Sequence, residues 1–326
     1  MKDMKREIAK FGKICCKTQE ELKVYLTALL SSKGYKVINK DGFVYAKGEL
    51  PYLVTAHMDT VHEVQVDRYN VHIWKGQHRI QAPKFGIGGD DRCGIYMIVR
   101  MILDGYRPSV LFCEDEEIGS IGAQKFCKTK YIKDLEELNY LIELDRANAN
   151  DAVFYDCDNP EFTKFIVDNT GYKEAHGSWT DIVKLSSECR VASVNFSCGY
   201  YNAHTKKEYV IFEEMERTIA VVEKLLRMES KQFEYIEKKY SDLWDNNYWK
   251  TMYGYAYDGY GYDGESSIYD IGGISGLEIH YNDYSCGTPQ EQIVYIPGDR
   301  EDYCMYMFFK EYPDVCYNDL IDAYII

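Results

Sequence analysis

The chain has 326 residues, 46% of them hydrophobic, which is enough for one large domain or a medium domain plus a small one and excludes wholesale disorder. Lysine and arginine number 38 against 53 aspartates and glutamates; the formal charge of −15 argues against a binder of nucleic-acid phosphates and suits a site that gathers divalent cations. With no apolar run near the ~20 residues of a membrane span, no apolar leader core and no CxxC pair, the chain reads as cytoplasmic, with reduced thiols and no membrane partner.

In chain order, residues 18–33 read as a helix, with Thr18 and Glu21 as a capping box and Leu22, Leu26, Leu29 and Leu30 as one apolar stripe. An alternating segment follows, turned by Asp41-Gly42, and then PYLVTAHMD as a short buried strand. A helix from about Asp91 to Leu103, the strand SVLFCED, a helix through Gln124–Phe126 and the strand NYLIELD come next. A helix from Pro160 to Asn169 starts on proline, SWTDIVKLS reads as a short helix, VASVNFSCG as a strand and Glu213–Met228 as an amphipathic helix. Such alternation predicts an α/β fold, a mostly parallel mixed sheet with helices on both faces, over residues 1–230. Residues 231–250 read as a charged, aromatic helix, within a 231–267 stretch that ends in a Tyr/Gly/Asp-rich linker. Residues 268–326 read as a small C-terminal α+β appendage, strands (LEIHYND, EQIVYIP) followed by an aromatic helical stretch, and offer a surface for a protein partner.

Five metal-binding residue types fall at or near predicted strand ends: His57 in TAHMD, Asp90 in GIGGDD, Glu117 in EDEEIG, Asp145 in LIELD and His204 in YYNAH. Their separations are 33, 27, 28 and 59 residues, the first three matching one strand–helix unit each. Residues at the carboxyl ends of neighbouring parallel strands converge on one crevice. Two imidazoles and three carboxylates suit zinc, and five ligands with one bridging carboxylate hold a pair of ions about 3.5–4 Å apart. Asp90 is placed to bridge. Asp59, two residues beyond His57, is placed to fix the imidazole's tautomer, and Glu116 is left free as general base.

Taken together, HMD, GGDDRCG, EDEEIGSIGA, ELD and the late histidine resemble the di-zinc exopeptidase superfamily, which includes aminopeptidases, peptidase T-like tripeptidases, glutamate carboxypeptidase-like enzymes and deacylases. The resemblance spans residues from about 20 to 228. It implies that His57, Asp90 and Asp145 hold one Zn2+ and Asp90, Glu117 and His204 the other, with Glu116 as base and Asp59 as orienter. A small peptide or amino-acid-derived substrate is implied. Only 58 residues separate Asp145 from His204, too few for the lid domain that many members insert there, so the compact aminopeptidase-like branch is the closest likeness.

Other readings remain open beside this one. A deacylase or carboxypeptidase would use Arg92 or Arg146 for a substrate carboxylate, and a metal-binding core with little activity would serve partner binding through the appendage. Gly86-Ile87-Gly88-Gly89 lacks the lysine of a P-loop and reads as flexible backbone that delivers Asp90. His62, His72, His78 and His280 read as surface or structural, His176 as an ordinary loop residue more than a member of the site, Tyr200 and Tyr201 as coincidental neighbours of His204, and Asp181 as a weaker substrate-contact candidate.

Overall fold

The computed structural model describes residues 4–62, 66–177 and 179–238, together with the backbone of strands 276–283, 290–297 and 320–325. Helix α1 (Met4–Cys15) precedes helix α2 (Gln19–Ser32). The predicted capping box of α2 is present: Thr18 Oγ1 accepts the Glu21 N–H at 3.1 Å, and Glu21 Oε2 accepts the Thr18 N–H at 3.0 Å. Leu22, Leu26 and Leu30 are its buried stripe. Strands β1 (Val37–Lys40) and β2 (Phe43–Ala46) pair antiparallel about Asp41-Gly42, where Gly42 takes a φ of 91°.

Strand β3 (Leu50–His57) enters the sheet centre, and β4 (Asn70–Trp74) and β5 (Gln77–Gln81) form a separate hairpin. Helix α3 (Gly89–Leu103), β6 (Pro108–Cys113), α4 (Ile121–Cys127) and β7 (Tyr140–Arg146) follow, with a 3-10 turn at Lys130–Asp134. Next come β8 (Asp151–Val153), α5 (Pro160–Thr170), β9 (Lys173–Ala175), α6 (Asp181–Cys189) and β10 (Ser193–Ser197). The short β11 (Tyr200–Tyr201) and β12 (Tyr209–Ile211) lead into α7 (Phe212–Arg227).

The main sheet has eight strands in the order β1-β2-β6-β3-β7-β10-β8-β9, parallel through β6, β3, β7 and β10. A smaller sheet runs β11-β12-β5-β4. Alternation along the central strands divides the core. Val54, Ala56, Val110, Phe112, Ile142 and Leu144 belong to the cluster that includes α1, α3 and α7, whereas Leu53, Leu111, Cys113 and Leu141 belong to the one with α4 and α6. Helices therefore cover both faces, as expected from the sequence. Among the described residues no helix is long and apolar enough to cross a membrane.

The expected helix at 231–250 is overturned over its described part. Residues 231–238 run extended: the Phe233 N–H bonds Asn139 O, the Tyr235 N–H bonds Arg190 O, and the Ala192 N–H bonds Phe233 O. Phe233 and Tyr235 are buried while Gln232 and Glu234 are exposed, a period of two that fits a strand edge and not a helix. The remainder of that stretch and the Tyr/Gly/Asp linker lie outside the described residues.

The chain divides into two compact units, Met1–Tyr255 and Ala256–Ile326. In the second, the two expected strands are present: β13 (Gly276–Asp283) pairs antiparallel with β14 (Gln290–Pro297) and with β15 (Leu320–Ile325) on its other side. The β15 segment replaces the end of the expected aromatic helix; the rest of that helix lies outside the described residues.

Candidate metal centre

The parallel strands deliver their ends to one edge of the sheet. His57 closes β3, Glu116 and Glu117 follow β6, and Asp145 lies near the end of β7. Asp90 opens α3 in a non-helical conformation (φ −83°, ψ 104°), and its peptide bond to Asp91 is cis. His204 comes from the turn between β11 and β12 and has a positive φ of 61°.

These side chains meet in two groups that share Asp90. Asp90 Oδ1 lies 3.0 Å from His57 Nε2, which is also 3.5 Å from Asp145 Oδ1. Asp90 Oδ2 lies 3.2 Å from His204 Nε2, which is 3.1 Å from Glu117 Oε2. Donor atoms held 2.0–2.1 Å from a tetrahedral zinc sit roughly 3.3 Å from one another, so each group has the size of a ligand set. The other ring nitrogen of His57 faces Asp59 Oδ1 at 3.1 Å. With Nδ1–H donated there, Nε2 turns a lone pair towards two carboxylates, and a proton or a metal ion has to lie between them.

The charges say the same. Burial first, and then Asp145, Asp181 and Asp90, push Glu116 up to about 8 against the help of His57. Burial and then Asp90 lift Glu117 and Asp145, each to about 7. Burial works to lower the pKa of His57, but Asp145 and then Asp59 and Asp90 outweigh it, and the ring is held protonated without a metal. His204 rises to about 9, chiefly through its hydrogen bond to Asp90. Glu117 Oε1 is buried without a partner. A donor set this rich in carboxylate, with an orphaned oxygen, fits divalent cations.

Asp91 comes within 4.8 Å of His57 and Asp145 as well. Its oxygens, however, accept the Gly94 N–H at 2.8 Å and the His57 N–H at 3.2 Å, so it caps the regular part of α3 and ties it to β3.

Asp59 does more than face the imidazole. Its Oδ1 also accepts the Glu116 N–H and its Oδ2 the Glu117 N–H, both at 3.0 Å. Within the EDEE run, Glu114 and Asp115 are structural: Glu114 accepts from Lys23 and the Gly42 N–H, and Asp115 pairs with Gln19. Glu116 makes no hydrogen bond through its carboxylate among the described residues and stands 4.0 Å from His57 Nε2.

The structure also places the remaining candidates. The glycine segment is fixed, not slack: the buried Glu208 accepts the N–H groups of Gly88 and Asp90 at 2.7 and 3.1 Å and meets His62 Nε2 at 2.8 Å. A side chain at Gly89 would press within 2.9 Å of Tyr200 and Val210. Tyr200 donates to the backbone oxygen of Asp145 at 3.0 Å, and Tyr201 to Glu214 at 2.7 Å, which assigns both phenols to positioning and packing. Arg92 is buried with its guanidinium on the carbonyls of Met58, Asp59 and Lys17, so it is not free for a substrate carboxylate. His176 is exposed and hydrogen-bonds to none of the site residues. Asp181 is fully buried, which does not suit the substrate contact expected of it, and its neighbour Thr180 donates to Asp145 Oδ2 at 2.9 Å.

No family model matches the sequence, and no curated protein matches it. Solved structures do. The aminopeptidase PepT from Bacillus cereus superposes with a TM-score of 0.53 at 14% identity over 69% of this chain and 98% of that one. A tripeptidase from Staphylococcus aureus gives 0.53 at 12% over the same shares, and an aminopeptidase from the archaeon Desulfurococcus kamchatkensis gives 0.50 at 13%, covering 68% and 94%. The chain has the fold of these exopeptidases. Within that fold it is a compact form: between Asp145 and His204 the described elements are β8, α5, β9, α6, β10 and β11, and none of them builds a separate lid.

Proposed function

We propose that this chain is a two-metal exopeptidase of the aminopeptidase type, removing the first residue of a short peptide. The observation that carries the proposal is the division of Asp90, one oxygen facing His57 and Asp145 and the other facing His204 and Glu117. His57, Asp90 and Asp145 would hold one ion, and Asp90, Glu117 and His204 the other, Zn2+ being the ion the imidazole–carboxylate set suits. When bound, such a pair polarises the scissile carbonyl and makes water a better acid.

Glu116 supplies the base. Its carboxylate makes no hydrogen bond among the described residues, stands 4.0 Å from His57 Nε2 and has a raised proton affinity, which suits a group that takes a proton from the attacking water and returns it to the leaving amine. Asp59 holds His57 in one tautomer and pins the backbone of Glu116 and Glu117. Replacing Glu116 with Gln lowers kcat by about 10²–10⁴-fold while metal content, measured on the purified protein, stays near two ions per chain. Metal lost from that variant would make Glu116 a ligand and overturn its role. Assay of aminoacyl-amides against N-acylated amino acids separates this activity from a deacylase, for which Arg92 is already committed to three backbone carbonyls.

A further inference from the structure

Among the described residues, few large apolar side chains lie open to solvent, and two of them hang from the segments that carry the centre. Ile118, 72% exposed, directly follows Glu117. Trp179, 52% exposed, directly precedes Thr180, the donor to Asp145. Both are anchored. The Gly119 and Ser120 N–H groups donate to Glu116 O at 2.9 and 2.8 Å, closing the turn that displays Ile118. The Trp179 indole Nε1–H donates to Ser120 Oγ at 3.0 Å, which brings its ring to that same turn. An indole tied by its only polar atom to the loop beside Glu116, with its carbon face open, is an apolar surface held in place without a partner.

We infer that Trp179 and Ile118 form an apolar wall that receives the side chain of the substrate's first residue, selecting large apolar residues. The inference rests on the exopeptidase reading for its substrate.

The test uses the full-length, zinc-loaded protein. Hydrolysis of leucine, phenylalanine, alanine and glutamate amides is measured, and binding of the uncleavable L-leucinol and L-alaninol is followed by calorimetry. The wild type favours leucine and phenylalanine over alanine by about tenfold or more in kcat/KM. Trp179→Ala and Ile118→Ser each lower the leucine-to-alanine ratio by about tenfold, mainly through KM, and Trp179→Phe restores most of it. Unchanged ratios in both variants overturn the wall. Cleavage with no side-chain preference overturns the wall and leaves the exopeptidase reading intact. Absence of cleavage with tighter leucinol binding that Trp179→Ala abolishes overturns the exopeptidase reading and leaves the wall. Neither cleavage nor preferential leucinol binding removes both.

Discussion

Two buried charged networks in this molecule make an instructive pair. On the α1–α3–α7 side, Arg100 donates to Glu7 at 2.6 Å, to Tyr96 at 2.9 Å and to Glu216 at 3.3 Å, while Lys10 meets Glu7 at 2.9 Å. There the cations come from the chain itself, and Glu7 is held below the ordinary carboxylate range because Lys10 and Arg100 outweigh its burial. At the sheet edge, Asp90, Asp91, Glu116, Glu117 and Asp145 gather round two imidazoles with the buried Glu143 behind Asp145 and Glu116, and all but Asp90 are pushed upward, burial being the first cause each time. A balanced network braces helices. An unbalanced one waits for cations from outside, and the imbalance, more than the number of charges, marks the functional site.

The contrast breaks most sharply at Asp90. Asp90→Asn should cost both ions and lower activity on the order of 10³-fold or more, since both metals' chemistry goes with the shared carboxylate; full activity with two ions retained would end the bridging assignment. Arg100→Met should do the reverse. Taking the guanidinium from between Glu7 and Glu216 removes the main buried cation of this network and destabilises the fold by about 3–5 kcal/mol, a fall of roughly 6–20 °C in Tm, with activity per folded molecule unchanged. Glu208→Gln stands between the two. It slackens the support of Asp90 and should weaken metal affinity about 10–100-fold with a modest change in Tm, measured by competition with a chelator.

The mildest test is the pH dependence of the chelated protein. Glu116 at about 8 and Glu117 and Asp145 at about 7 keep protons in the folded state that the unfolded chain has already released. His204 at about 9 and the raised His57 act in the same direction. The folded state thus binds more protons than the unfolded one, and stability falls as pH rises from about 5 through 9. Added Zn2+ should flatten the slope; a metal-free Tm that climbs across this range would contradict the picture.

His57, Asp90, Glu117 and Asp145 are legible in the sequence because each lies beside a strand or helix whose own pattern is strong, so topology alone brings them together. Glu208 is not legible. Four residues past His204 and beside two lysines it reads as solvated charge, and only the folded chain shows that the N–H groups of Gly88 and Asp90 surround it. The β4–β5 hairpin escapes for another reason. Val71 and Ile73 do alternate with polar neighbours, but the strand has five residues and all are exposed, so it adds no side chain to the core, and the Lys75-Gly76 turn, with φ of 48° and 80°, is the other signal. Residues 231–238 mislead because their charged, aromatic composition suits a helix, although Phe233 and Tyr235 recur at the period of two that marks the sheet edge they join.

Asp59 joins the end of β3 to the turn after β6 through one carboxylate, which touches the imidazole of His57 and the backbone of Glu116 and Glu117. The consequence is preorganisation. Glu116, His57 and Glu117 are oriented when the chain folds, and under the proposed two-metal reading little dipole reorientation is then left for the moment of bond cleavage. It also means that the His57 side and the Glu117 side are not independent: a change of residue at 59 disturbs both together, so the proposed pair of sites would be kept or lost as one piece.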